Sequence, residues 1–135
     1  MQTQNIKIFN NDLDLDVTHK INTIELDNWI NHLKYIKKEL TNLVNLCNTE
    51  LSLKLKNDKV LKRLEKKEVE NETLLNALNR YVVSRAHIRE CEDTQCDMVY
   101  ITEHESYRKS YLYHLNKYRR FKNDFLKKST RLVYA

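Results

Sequence analysis

Five histidines, three cysteines and an alternating run of aspartates are the residues through which this chain could bind a metal or do thiol chemistry. A di-metal centre in a helical bundle needs paired Glu-x-x-His motifs that face inward. Here His87 is followed by Ile88-Arg89-Glu90, the reverse order, and its helical phase points outward. His32, the stretch around Val83 and His104 should fall at one level of a bundle, with Glu103 and Glu105 near. His104 and His114 nevertheless read as hydrogen-bonded core residues among tyrosines. Asp12, Asp14 and Asp16 match the opening ligands of a calcium loop. The match then fails, because Val17 stands at the required glycine and Thr23 at the closing glutamate. Cys91 and Cys96 are spaced as Cys-x₄-Cys, two residues longer than a Cys-x-x-Cys redox pair. A disulfide there is geometrically feasible, but a reducing cytosol would leave all three thiols free. Glu90, Glu92 and Asp97 should raise the two neighbouring thiol pKa values and blunt their reactivity. No metal, cofactor or small-molecule substrate is expected.

Basic residues interleaved with aromatics offer a second kind of chemistry. From residue 106 onward, Lys or Arg stands at 108, 109, 117, 119, 120, 122, 127, 128 and 131 against Asp124 alone, so this stretch carries +8 of a total net +5. Cations beside exposed rings can contact phosphates and stack on bases. Lys109, Lys117, Arg119, Arg120, Lys127, Lys128 and Arg131 are the candidate nucleic-acid contacts. Of the rings here, Tyr111, Tyr118, Phe121 and Phe125 fall on an inward seam, and Tyr113 points outward among Lys109, Lys117 and Arg120.

The elements that position these residues follow from an absence. The chain has no glycine and no proline, where average usage would give about nine and seven. Tight hairpin turns and loop punctuation depend on those residues, so few, long helices are expected. Phosphate-binding loops, dinucleotide fingerprints and nucleophile elbows are excluded, because each needs glycine. An enzyme is not expected.

An arm over residues 1–16 is followed by helices over about 17–56, 59–91 and 97–130. Leu26, Trp29, Leu33, Ile36, Leu40, Leu43 and Cys47 trace the stripe of the first. Asp16 or Thr18 should cap it. Asn57-Asp58 reads as the first turn, and Glu92–Gln95 as the second, with Thr94 and Asp97 forming a capping box. Leu61, Leu64, Leu75, Leu78 and Val82 face inward from the second helix, whose polar middle, Glu65 to Thr73, should pack weakly. Tyr100, His104, Tyr107, Tyr111, His114, Tyr118, Phe121 and Phe125 recur in steps of four and three along the third, a heptad seam. The fold class is all-α, an antiparallel up-down-up three-helix bundle with coiled-coil-like packing.

Phe9-Asn10-Asn11-Asp12-Leu13, Glu25-Leu26-x-x-Trp29 and His104-x-x-Tyr107-Arg108 resemble motifs of a group of short helical proteins from Bacteroidetes-type bacteria. The resemblance spans most of the chain, thins through the second helix, and implies a three-helix fold with no established activity.

The functional expectation is a non-enzymatic protein-interaction or self-association module, with nucleic-acid binding through the basic third helix as the alternative. A slender bundle cannot bury every apolar side chain that this chain supplies, among them Leu112, Leu115 and Leu126 beside the seam and Val82, Val83, Ile88, Val99 and Ile101 at one end. Trp29, Tyr107, Tyr113 and Arg120 are the candidate partner contacts. The opening MQTQNIKIFN lacks a basic-then-apolar leader, and no apolar run is long enough to span a membrane, so the cytoplasm is the expected location.

Overall fold

A computed structural model describes residues 13–48 and 58–134, with side chains over 13–48 and 59–128. Among these residues the chain is all-α: helix α1 spans Asp14–Cys47, α2 spans Asp58–Arg85, a 3₁₀ turn covers Ala86–Glu90, and α3 spans Thr94–Tyr134. The three pack as an up-down-up bundle. His19 and Leu33 of α1 meet Arg85 and Asn71 of α2, so that pair runs antiparallel. His19, Glu25 and Glu39 meet Asp97, His104 and Tyr118 of α3, so α1 and α3 run parallel.

Helix α1 opens earlier than the sequence suggests. Leu13 occupies the cap with extended backbone and no side-chain cap, while Asp14 and Asp16 sit in the first turn. There their charge favours the positive end of the helix. Thr18 donates back to the Asp14 carbonyl at 3.0 Å instead of capping. Residues 1–12, including Asp12 and most of the expected arm, and residues 49–57, including Asn57 and the expected end of α1, lie outside the described residues. Helix α3 is capped by Asp93, whose Oδ1 accepts the Cys96 N–H at 2.8 Å. The Thr94–Asp97 box does not form, because Asp97 turns across to His19 at 2.8 Å. Helix α2 gives way to the 3₁₀ turn at Ala86, short of the expected residue 91, and no residue of that turn is buried.

The core is the seam that helical spacing lays out. Leu26, Ile30, Leu33, Ile36 and Leu40 from α1 meet Leu64, Leu75 and Leu78 from α2 and Tyr111, Tyr118, Phe121 and Phe125 from α3. Leu115 joins it, while Leu112 and Leu126 are left about half exposed.

Two expectations are overturned. The middle of α2 is no loose turn. Asn71 is fully buried; its Nδ2 donates to the Leu33 carbonyl and its Oδ1 accepts from His114 Nε2, both at 2.9 Å. Beside it, Glu70 holds Lys67 at 3.1 Å and Lys117 at 3.8 Å. Polarity there is a bonded joint between all three helices. Asn71→Leu should therefore cost about 1–3 kcal/mol, since it strands a buried His114 N–H; chemical denaturation of the variant measures this, and an unchanged midpoint would refute the joint.

The cysteines are not all free thiols either. Cys91 and Cys96 form a disulfide across the α2–α3 connection, with Cα atoms 5.5 Å apart. The short connection turns sharply enough to bring both Cα atoms within the span that a disulfide bridges. Closing so small a loop is worth about 2 kcal/mol. Cys47 stays a buried thiol whose pKa burial pushes up.

Candidate functional site: the outward face of helix α3

The orientation of α3 is set by polar side chains on its inner flank. His104 is completely buried. Its Nε2 lies 2.7 Å from Glu25 Oε1, and its Nδ1 lies 2.8 Å from the Tyr81 hydroxyl. A carboxylate only accepts, so Nε2 carries the proton and Nδ1 accepts from Tyr81. Arg85 in turn donates to the Tyr81 oxygen at 3.0 Å. Arg108 closes on the other side, donating to both oxygens of Glu25 at 2.6 and 2.9 Å. Burial works to raise the Glu25 carboxyl, but the hydrogen bonds from Arg108 and His104 outweigh it and hold the pKa below the ordinary carboxylate value. Burial depresses His104 more than Glu25 raises it. Farther along, Glu39 binds Lys122 at 2.9 Å and accepts from the Tyr118 hydroxyl. Burial and the Glu39 charge drive the Tyr118 pKa upward.

These contacts divide the cations of the +8 stretch. Arg108, Lys117 and Lys122 are neutralised by Glu25, Glu70 and Glu39. Lys109, Arg119, Arg120, Lys127 and Lys128 are exposed and have no acidic partner among the described residues. The side chain of Arg131 lies outside them. Lys109, Tyr113, Arg120 and Lys127 follow one another at four, seven and seven residues, so they leave the helix along one line about 27 Å long. Tyr113 is 68 % exposed, and the Lys117 ammonium lies 5.3 Å from its ring centre. This face can take up extended negative charge together with one planar or apolar group.

The other expected partner residues are placed differently. Trp29 is 5 % exposed and stacks on His104 at 4.8 Å and on Tyr111 at 5.4 Å, so it belongs to the core and not to a contact surface. Its stripe position on α1 is inward, and ring stacking inside the bundle satisfies it. Tyr107 is half-buried and stacks on Tyr81 at 4.3 Å. The histidine level expected at His32, Val83 and His104 does not assemble: His32 bonds the Tyr111 hydroxyl, and Val83 is exposed. Among the described residues, no group of three or more His, Cys, Asp or Glu side chains could hold a metal ion. No helix there is long and apolar enough to cross a membrane.

Sequence reasoning missed Glu25, Asn71, Tyr81 and Arg85. A signal for two of them existed. Asn71 and Arg85 continue the seven-residue spacing of Leu64 and Leu78, and all four are buried. Comparison with protein-family models, with curated proteins and with solved structures gives no match.

Proposed function

We propose that this chain is a non-enzymatic helical interaction module whose contact surface is the outward face of α3, with an acidic protein surface, a second copy included, as partner. The observation that supports this most is the line of Lys109, Tyr113, Arg120 and Lys127: exposed, without acidic partners among the described residues, and carried on a helix whose other side is tied down. Complementary charge speeds encounter and selects partners, and tyrosine and arginine, here Tyr113 and Arg120, are enriched at energetic centres. The reactive-looking side chains Glu25, Tyr81 and His104 are committed to one another inside the bundle, which supports a scaffold role for them. In this reading the surplus apolar side chain Leu112, about half exposed, borders the contact.

Nucleic acid is the second reading, favoured by the five cations that have no acidic partner among the described residues. Fluorescence anisotropy with generic single-stranded DNA and RNA across a salt series separates the two. Phosphate binding should fall steeply as salt rises, with a log–log slope of magnitude about 0.7 per neutralised phosphate; no binding at low salt removes this reading. For the protein reading, light scattering should show association that Arg120→Glu with Tyr113→Ala abolishes, or a monomer that gains mass only with an acidic partner. A cytoplasmic location is part of the proposal. Because disulfides persist chiefly in oxidising compartments, titrating free thiols in freshly isolated protein tests it: three reactive thiols after unfolding favour the cytoplasm, one disfavours it.

A further inference from the structure

Helix α3 separates its charges along its length. From Thr94 to Glu105 it carries Asp97, Glu103 and Glu105 and no Lys or Arg; from Arg108 to Lys128 it carries eight Lys or Arg against Asp124 alone. Three of the eight are neutralised inside the chain by Glu25, Glu70 and Glu39, which leaves five on the surface. A helix charged in this way repels a parallel copy of itself and attracts an antiparallel one. A second pattern lies across this gradient. Met98, Glu105, Leu112, Arg119 and Leu126 stand seven residues apart. All five are exposed, the apolar three by 46, 48 and 45 % in that order. Leu112, Arg119 and Leu126 each precede by one residue a member of the Tyr113–Arg120–Lys127 line. The two lines therefore run side by side, and the one from Met98 to Leu126 is about 42 Å long.

From either end the line runs apolar, charged, apolar, charged, apolar, and its two charges have opposite signs. We infer that two copies of this chain pair through α3, antiparallel, about a two-fold axis at Leu112. In that register Leu112 meets Leu112 of the second copy, while Met98 meets Leu126 and Glu105 meets Arg119, each twice. Lys127 also comes level with Asp97 of the second copy. This rests on α3 being the interaction surface, and it names the chain itself as the partner. A closed two-fold contact requires a surface complementary to itself, and charges at heptad spacing set the orientation of paired helices. Other alignments fail. Moving the axis one heptad, to Glu105 or to Arg119, sets like charges face to face and carries one end of the line past the end of the other helix. A parallel pair sets Glu105 on Glu105 and Arg119 on Arg119. A seven-residue line drifts about 20° per heptad around a straight helix, so a crossing angle of about 20° keeps it in contact. Exposed ion pairs add little affinity. The charges thus select the register, the three apolar contacts hold it, and the dimer belongs to the weak, reversible class.

Sedimentation equilibrium of the full chain, up to millimolar concentration, tests this. The unaltered chain should dimerise, and more weakly as salt rises. Glu105→Arg and Arg119→Glu should each weaken the dimer by about tenfold or more, because either one sets two like-charged pairs face to face. Both substitutions in one chain should restore it. The two side chains are exposed, so far-UV circular dichroism should stay the same in all three variants. Dimerisation that ignores these variants, or that the combined substitution fails to restore, would overturn the register. A dimer that Arg120→Glu with Tyr113→Ala abolishes and Glu105→Arg leaves intact would keep the outward face and overturn this alignment of it. A chain that stays monomeric at millimolar concentration would overturn self-pairing, and titration with poly-L-glutamate then separates the two readings. Binding of that polyanion by the monomer would leave an acidic protein as partner; no binding would remove the wider reading as well.

Discussion

Replacing Trp29 with alanine is expected to destabilise the bundle by about 3–5 kcal/mol, the range for deleting a large buried ring. The ring sits between His104 and Tyr111, stacked on both, and alanine leaves a void that the packed helices close poorly. Trp29→Phe should cost less, because it keeps one ring in the stack. Urea denaturation followed by far-UV circular dichroism reads the effect as a lower midpoint at constant slope. The outcome also separates two roles for the one tryptophan of the chain. Unchanged stability together with lost association would return Trp29 to a contact surface; the stacked geometry predicts the opposite.

Acidification is the second large lever. Burial holds His32, His104 and His114 below the ordinary value of 6.5. In the unfolded chain these rings bind a proton near that value, so on acidification the unfolded state takes up protons first. Stability is then complete above about pH 6.5 and declines as the pH falls from there, by about 1.4 kcal/mol for each unit by which a folded pKa is depressed. The groups around His104 pull both ways: Glu25 favours its charged form, while Arg85 and Arg108 oppose it. Protonation would put a second N–H at Tyr81, whose oxygen already accepts from Arg85. A second loss follows at lower pH. Hydrogen bonds and cations outweigh burial at Glu25, Glu39 and Glu70 and hold all three below 4.5, so their contribution is present above that value and disappears as they are protonated. Thermal melts should therefore show a falling midpoint between pH 7.5 and 5.5, well before the carboxylates titrate. His104→Gln, which keeps a donor and an acceptor without a titration, should flatten part of that slope. A constant midpoint over the interval would refute the assignment of neutral, buried imidazoles.

Much of the bundle is legible in the residues, and the illegible parts share a cause. The seam from His104 to Phe125 is written at steps of three and four, and its positions are buried as spacing demands, save the half-buried Tyr107. The outward cations are legible for the same reason, since phase alone sends Lys109, Arg120 and Lys127 away from that seam. Trp29 was placed on the right stripe and given the wrong role, because a helical period fixes a direction and cannot say what fills it. Asn71 and Arg85 were hidden because a polarity scale reads them as surface. Only a partner on another helix, the Leu33 carbonyl for one and the His19 carbonyl for the other, makes their burial tolerable. The cap at Asp93 and the Cys91–Cys96 bond depend on the path of a short connection, which residue types alone do not determine.

The bonds of Asn71 and His104 also settle a choice that oily packing leaves open. Slide α3 by one heptad and aromatic side chains still meet the hollows of α1 and α2: Tyr111 arrives where His104 was, and Phe121 where His114 was. Van der Waals contact scores the two arrangements almost alike. Hydrogen bonding does not, for after the slide Tyr81 and Asn71 face a phenol and a phenyl ring, and the Glu25 carboxylate loses both His104 and Arg108. A handful of polar atoms thus makes one of several near-equivalent alignments the ground state. They also break the degeneracy that a repeating sequence with no glycine or proline to punctuate it would otherwise carry into its folding.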